Sequence, residues 1–178
     1  MDNNKDFVVL GNINSIIYKE IFPYIKENKI ELGYSVHSGD MEFKVSDDYS
    51  ITTKNLRIDS NENKYRRLPG IRWFTTIKQQ DCNNNLMLFD KYNPELYPKY
   101  DNYDAINVDK TCDIPDDYDG LMGVPISFMD KYNPKQFEIV DGINRYSLLK
   151  GMTTDTKGKF MTNINGIPKY ARIIIKKL

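Results

Sequence analysis

Cysteine and histidine are scarce in this chain, which has two cysteines and one histidine among 178 residues. Cys82 and Cys112 are 30 positions apart, a spacing that does not suit a zinc site, and two cysteines make no disulfide framework. We interpret them as reduced thiols of a cytosolic protein. A histidine-based nucleophilic dyad would have to use His37, and nothing in the sequence around His37 favours one.

Long apolar runs and surplus charge are missing too. No stretch approaches the roughly 18 apolar residues of a membrane-spanning helix. The first residues, MDNNKDFVVLG, are polar and acidic, unlike a signal peptide. The formal net charge is zero, so bulk charge points to no partner. We therefore expect a cytoplasmic protein with no membrane partner.

Two nucleotide-handling motifs are absent as well. The ten glycines stand apart, and no GxG pattern occurs. The Asp/Asn-Pro-Pro-aromatic loop that grips a flipped-out adenine is also missing, because Glu95 follows Asn93-Pro94 and Lys135 follows Asn133-Pro134. The two DKYNP phrases are not a true repeat, since the segments between them do not match. Each Asn-Pro pair predicts the start of a short helix.

The apolar residues that are present follow an α/β pattern. A buried strand at 6–11 precedes a helical segment in which Asn14 or Ser15 caps the start and Pro23 splits the helix. A hairpin is predicted at Asn165-Gly166. We expect a surface excursion over 46–64 and little regular structure over 90–123. The further strands are predicted at 30–35, 41–45, 70–77, 86–89, 137–140 and 170–178.

Three arginines form the first candidate site for nucleic acid. Arg66, Arg67 and Arg72 flank Trp73 and are candidates for phosphate contacts, with Trp73 or Phe74 stacking on a base. The alternative is a solvated strand edge with Trp73 in the core. Residues 145–178 add eight basic side chains against Asp155, a local net charge of +7. These include Lys150, Lys157, Lys159, Arg172, Lys176 and Lys177.

An acidic segment is the second candidate site. Residues 101–119 hold seven Asp and one Lys, a local net charge of −6. Their spacing fits no calcium loop, so no metal is predicted. A solvated acidic loop is the simpler interpretation, and docking onto a basic protein surface is the functional one. The side chains concerned are Asp113, Asp116, Asp117 and Asp119.

A series of long phrases resembles the EcoRI-type adenine-specific DNA methyltransferase family. They are FVVLGNINSIIYKEIFPYIKENKIELGYS, RRLPGIRWFTTI, KYNPELYPKYDNYDAINVDK, IPDDYDGLMGVPISFMDKYNPKQFEIV and INGIPKYARIIIKK. The resemblance is to the C-terminal half of that family. It implies part of a class I methyltransferase-like, Rossmann-like α/β sheet with an irregular Tyr/Asp-rich insertion and a C-terminal β-hairpin. Asn12 and Asn14, after the first strand, become candidate remnants of the active-site cleft.

The resemblance implies one domain over 1–178, with a methyltransferase-like part at 1–89 and a family-specific region at 90–178. Without a donor pocket or an amino-group clamp, no catalytic residue is assigned, and no S-adenosylmethionine or other cofactor is expected on the isolated chain. A strand stripped of its neighbours must be covered by a partner, by oligomerisation or by rearrangement.

Three hypotheses on function follow. The first is a non-catalytic binding protein from a phage or mobile element that inhibits host defence (restriction or CRISPR) by binding a nuclease or nucleic acid. The second is a subunit of a split adenine-N6 methyltransferase, completed by a complementary chain. The third is a fragment without a function of its own. Homo-oligomerisation is an additional expectation.

Overall fold

A computed structural model describes residues 5–33, 40–46, 48, 56–78, 84–143, 162–169 and 171–178. His37, Cys82, Lys150, Lys157 and Lys159 lie outside these residues. The described elements in chain order are β1 Val8–Asn12, the 3₁₀ helix η1 Ile13–Ile17, α1 Phe22–Lys26, β2 Glu31–Leu32, β3 Met41–Lys44, β4 Leu56–Ile58, β5 Lys64–Leu68, β6 Ile71–Thr75, β7 Lys99–Tyr100, β8 Tyr103–Asn107, η2 Thr111–Asp113, β9 Met122–Pro125, η3 Ile126–Lys131, β10 Phe137–Ile143, β11 Asn163–Ile164, β12 Ile167–Pro168 and β13 Arg172–Lys177.

The first sheet has the strand order β1-β6-β2, and β6 is antiparallel to both neighbours. β1 and β2 are therefore parallel to each other, joined by η1 and α1. Pro23 stands in the first turn of α1, where a missing N–H costs no hydrogen bond. The predicted helix is thus split into two short pieces. The cap of η1 is Asn12, whose side chain accepts from Asn14 N–H at 2.9 Å, and not Asn14 or Ser15.

The largest sheet has the order β10-β13-β9-β8-β7. Strand β13 lies between β10 and β9 and is antiparallel to both, whereas β8 and β9 are parallel. The prediction of little regular structure over 90–123 is wrong for β7 and β8, which lie within that range. The apolar side chains of β13, Ile173, Ile174 and Ile175, are wholly buried. Side chains from both sheets, from η1 and from α1 share one contiguous core, so the two sheets bury their apolar faces together.

Residues 84–92, here called the strap segment, lie along this core without joining a sheet. The predicted strand at 86–89 is therefore wrong. The side-chain amide of Gln136 takes the place of a neighbouring strand: it accepts from Leu86 N–H at 2.7 Å and donates to Leu86 C=O at 2.8 Å. Leu86 and Leu88 pack against the core, whereas Met87 and Phe89 are exposed.

The two Asn-Pro phrases form equivalent single turns and not helices. Asn93 accepts Glu95 N–H through its side chain and Tyr97 N–H through its carbonyl. Asn133 makes the same two contacts with Lys135 and Phe137. Asparagine suits this position because its side chain bonds to the backbone two residues later.

The C-terminal hairpin forms as predicted. β11 and β12 pair around Asn165 and Gly166, whose φ angles are 51° and 73°. Two successive residues with positive φ are typical of a type I′ turn, for which Asn-Gly is the preferred pair. The Asp101 carboxylate accepts the N–H groups of both turn residues, which ties the hairpin to the β7–β8 turn.

Candidate nucleic-acid interface

A small antiparallel sheet with the order β3-β5-β4 presents one strongly charged face. The cross-strand register sets Glu42 opposite Arg67, and Tyr65 opposite both Lys44 and Arg57. Because directly opposite residues share a face, these five side chains lie together. We call this surface the basic face. It has three cations and one carboxylate, a net charge of +2.

Glu42 organises the basic face. Its Oε2 accepts from Arg57 Nε at 3.0 Å and from Arg57 Nη2 at 2.8 Å, and its Oε1 lies 3.6 Å from Arg67 Nε. The hydrogen bond from Arg57 lowers the pKa of Glu42 below its usual value, and the charges of Arg57 and Arg67 act in the same direction. One carboxylate therefore orients two half-exposed guanidinium groups.

Tyr65 adds an aromatic ring to the basic face. The guanidinium carbon of Arg57 lies 4.5 Å from the centre of the Tyr65 ring, within the range of a cation–π contact. Guanidinium groups bind phosphate oxygens, and aromatic rings stack on unpaired bases. The basic face thus combines the two side-chain types that nucleic-acid surfaces use.

The turn between β4 and β5 holds this geometry. The Asp59 side chain accepts the N–H groups of Asn61 and Asn63, both at 2.9 Å. The hydrogen bond from the Asn63 side chain is the main cause that lowers the pKa of Asp59. Glu62 takes φ 61°, the left-handed conformation that closes the turn. Part of the expected surface excursion over 46–64 is therefore a hairpin strand, β4.

The structure does not bring the four predicted nucleic-acid residues together. Arg67 belongs to the basic face. Arg66, the residue before Arg67 in β5, is on the opposite face of the same sheet. Arg72 and Trp73 are in β6, in another sheet. The sequence prediction did not include Lys44, Arg57 or Tyr65, although the turn-forming residues DSNEN before KYRRL indicate a hairpin.

Arg72 requires a correction. Its side chain is buried, and its guanidinium binds the Asp130 carboxylate at 2.7 and 2.8 Å. The same contact raises the pKa of Arg72. A guanidinium committed to a buried carboxylate is not placed to bind a phosphate. The expected core position of Trp73 is also wrong: Phe74 is buried with Arg72, whereas Trp73 packs against Gly33 and is only partly covered.

The predicted acidic residues hold backbone and lysines in place. Asp117 accepts Tyr92 N–H at 2.7 Å, and Asp116 lies between Lys91 and Lys177. Asp113 accepts from the exposed Cys112 thiol at 3.1 Å, while Asp119 is exposed. Within the ranges that the structure describes, no group of three side chains is arranged to hold a metal ion.

A cleft of about 420 Å³ lies beside these acidic residues. It is lined by Asp90, Lys91, Leu96, Tyr97, Asn107, Asp109 and Asp113. On one wall, the buried Asn107 accepts from Tyr100 Oη at 2.8 Å and donates to Asp109 at 2.9 Å. Arg172 donates to both Asn107 and Asp109. Arg172, predicted to add to a basic surface, is instead buried beneath Asp109.

Asn12 and Asn14 are exposed where β1 ends. Asn12 has a structural role as the cap of η1, and its carbonyl accepts Ser15 Oγ at 2.6 Å. The Asn14 side chain takes no part in this cap. Because both residues lie where β1 ends, they stay candidates for the wall of a cleft.

A model of the family described as adenine-specific methyltransferase EcoRI matches residues 1–178. The chain belongs to this family of adenine-specific methyltransferases. The family named by the resemblance in the sequence is thereby confirmed. The structure agrees at the level of a mixed α/β fold with several sheets and few helices. Among the described residues, no helix has the length and apolar character needed to cross a membrane.

Three relatives carry the name type II methyltransferase. M.EcoRI of Escherichia coli is 45% identical over 175 residues, which are 97% of this chain and 50% of the relative. M.MgeORF184P of Mycoplasma genitalium is 41% identical over 187 residues, 99% of this chain and 58% of the relative. M.MpnI of Mycoplasma pneumoniae is 34% identical over 185 residues, which are 99% of this chain and 58% of the relative. This chain therefore spans about half the length of these relatives. No solved structure matches it.

Proposed function

We propose that these 178 residues are the DNA-contacting part of an adenine-N6 DNA methyltransferase whose cofactor-binding and base-clamping residues lie elsewhere. One observation carries the proposal. The whole chain matches the family, yet it covers about half of each relative and contains neither a GxG loop nor an Asn-Pro-Pro-aromatic loop. We therefore assign cofactor binding and the gripping of the adenine to the half of the relatives that this chain does not match.

The physical argument concerns the reacting groups. Methyl transfer requires the donor sulfonium in line with the adenine nitrogen, held by groups that fix both reactants. A chain without the donor loop and without the amino-group clamp supplies neither constraint. These residues therefore act by binding DNA and by supporting the other half, and not as an independent catalyst.

The basic face is our candidate for the DNA contact. Arg57 and Arg67 are half exposed, and Glu42 holds them on one side of the sheet. Their role on DNA would be to position the duplex through phosphates, which carry no sequence information by themselves. This assignment makes Arg57, Arg67 and Lys44 the source of the salt dependence of binding.

A methyl-transfer assay tests the proposal. The purified chain is incubated with duplex DNA and tritiated S-adenosylmethionine, alone and after co-expression with the part of M.EcoRI that it does not match. We expect tritium in DNA only from the co-expressed sample, and no saturable calorimetric binding of the cofactor by the chain alone. The proposal would be overturned if the isolated chain transferred tritium to DNA. It would also be overturned if the two parts formed a complex and that complex transferred none.

The comparisons favour this second hypothesis over the first, a stand-alone inhibitor of host defence. The three relatives are named methyltransferases, and none of the described features selects a defence nuclease as partner. The acidic side chains that were candidates for such docking are engaged within the chain, as the contacts of Asp116 and Asp117 illustrate.

A further inference from the structure

Asp109 is an exposed carboxylate that buried polar side chains hold in place. Its Oδ1 accepts from Asn107 Nδ2 at 2.9 Å and from Arg172 Nη2 at 3.2 Å. Behind them, Asn107 Oδ1 accepts from Tyr100 Oη at 2.8 Å and from Arg172 Nε at 3.3 Å. Tyr100, Asn107 and Arg172 are at most 7% exposed and come from β7, β8 and β13. Three strands thus fix the position of one carboxylate.

The second oxygen of Asp109 is not used by this network. Both hydrogen bonds go to Oδ1, and among the described residues Oδ2 accepts none. The Asp109 side chain is 66% exposed and lines the cleft beside the acidic residues. The hydrogen bond from Asn107 lowers the pKa of Asp109, so at neutral pH Oδ2 can only accept. The cleft therefore contains an oriented acceptor without a donor from the described residues.

The buried Arg72 shows that neutralising a guanidinium does not by itself require this arrangement. Arg72 binds both oxygens of Asp130, and both side chains are 6% exposed. Arg172 is covered to a similar degree, but its carboxylate partner stays in solvent and offers it one oxygen. Burying three polar side chains behind a solvated carboxylate is costly. The contrast indicates that the position of Asp109 Oδ2 matters for binding.

Three lysines lie near Asp109. Lys91 lines the same cleft, and Lys110 follows Asp109 in sequence and is exposed. Lys169 is close enough for its charge to lower the pKa of Asp109. These lysines equal in number the three carboxylates that line the cleft, so the local charge balances and does not repel phosphate. Lysines contact phosphates, whereas a carboxylate can read the edge of a base.

We propose that Asp109 reads the exocyclic amino group of a paired adenine or cytosine in the major groove of the DNA substrate. This rests on the proposed function, because it takes these residues to be the DNA-contacting part. The amino group at adenine N6 or cytosine N4 donates to Oδ2. Guanine O6 and thymine O4 stand at the same places and are acceptors, so the carboxylate rejects them. Tyr100, Asn107 and Arg172 are the positioning residues of Asp109.

Asp109→Asn separates base reading from structure, because the network fixes the orientation of the amide. Asn107 Nδ2 and Arg172 Nη2 are donors, so the amide oxygen turns to them and its NH₂ group to the cleft. The variant thus replaces an acceptor with a donor at the position of Oδ2. We expect the preference to change from adenine or cytosine to guanine or thymine, whose oxygens accept. A purely structural role of Asp109 predicts weaker binding to all sequences.

Selection from a duplex library with a randomised region measures this preference. The full chain is mixed with the library, and the bound duplexes are sequenced. At one position of the selected motif, we expect the wild type to enrich adenine or cytosine about tenfold, in line with one hydrogen bond to a charged group. Asp109→Asn should reverse the enrichment there and keep the rest of the motif. The control is Asp104→Asn, which makes the same charge change at a side chain 94% exposed and should select the wild-type motif.

A base analogue without the amino group tests the contact itself. At the selected position, purine replaces adenine or pyrimidinone replaces cytosine. We expect this change to weaken binding of the wild type about tenfold and to leave binding of Asp109→Asn unchanged. If Asp109→Asn does not fold, the result for the wild type decides alone, and undiminished binding of the analogue refutes the proposal.

Three outcomes would show that the base reading is wrong. The wild type selects no position for adenine or cytosine, or Asp109→Asn selects the wild-type motif unchanged. In the third, Asp109→Asn keeps the base preference but prevents a complex with the unmatched part of M.EcoRI, which would make the cleft a protein contact.

The two proposals fail separately. Methyl transfer by a complex whose base preference does not depend on Asp109 refutes the base reading and leaves the proposed function standing. A base preference that Asp109→Asn reverses, in a chain whose complex transfers no methyl group, has the opposite meaning.

Discussion

Arg72 in β6 and Asp130 in η3, 58 residues apart in sequence, form a two-pronged ion pair inside the protein, with nitrogen–oxygen distances of 2.7 and 2.8 Å. Both side chains are only 6% exposed. The pair joins the β1-β6-β2 sheet to the 3₁₀ helix that precedes β10. Because η3 connects β9 to β10, the pair links the first sheet to a connection of the largest sheet.

Removing one member of this pair should be costly. Asp130→Ala leaves a buried guanidinium without its carboxylate, and we expect a loss of about 3–5 kcal/mol in the free energy of unfolding, measured in urea. The control is Glu20→Ala, which breaks the exposed pair with Lys19 and should cost at most about 1 kcal/mol. Similar losses for the two variants would contradict the role assigned to Asp130.

Asp109 should make stability depend on pH in the acid range. The hydrogen bond from Asn107 is the main cause that lowers the pKa of Asp109, and Arg172 adds to it. A lowered pKa in the folded state stabilises the protein above the unfolded pKa of about 3.9, and this contribution is lost as pH falls through the folded value. The stability advantage of the wild type over Asp109→Asn should therefore shrink below about pH 4. Urea unfolding at a series of pH values measures it, and a constant advantage would refute the linkage.

Arg67 should account for part of the salt dependence of DNA binding. Replacing it with alanine removes one phosphate contact, so the slope of log K against log salt should fall by about 0.9. Fluorescence anisotropy with a duplex at several salt concentrations measures the slope. Lys29→Ala is the matched control, because Lys29 is similarly exposed and also pairs with one glutamate. If both variants have the same slope, the basic face does not contact DNA.

Gln136 should hold the strap segment through its amide. Gln136→Glu keeps the size but sets a carboxylate oxygen against Leu86 C=O, where the NH₂ group donates now. We expect a loss of about 1–3 kcal/mol in the free energy of unfolding and faster exchange of the Leu86 amide. Glu138→Gln, two residues along, is the control for changed charge. Unchanged Leu86 exchange in Gln136→Glu would show that the amide is not the anchor.

Several elements could be predicted from the sequence because short-range patterns specify them. Pro23 stands in the first turn of α1, because a proline is tolerated at the start of a helix but not in its interior. Asn165-Gly166 forms its turn because asparagine and glycine tolerate positive φ. The run of three isoleucines in β13 must be buried, whichever strands flank it. Family membership was also readable from the order of long phrases.

Other features depended on partners far along the chain. β8 reads as polar in sequence, yet Ala105, Ile106 and Asn107 are buried, because Tyr100 and Arg172 satisfy the Asn107 side chain. The 86–89 pattern resembles a strand, but Gln136 supplies its hydrogen bonds in place of a neighbouring strand.

The sequence alone thus determined the family, the mixed α/β class and the local turns, since these depend on side chains within a few residues of each other. Only the tertiary structure decided that Arg72 is buried with Asp130, that Arg67 shares a face with Arg57 and Tyr65, and that β1 is an open edge. Each of these depends on which distant segment lies opposite, and local propensity carries no information about that pairing.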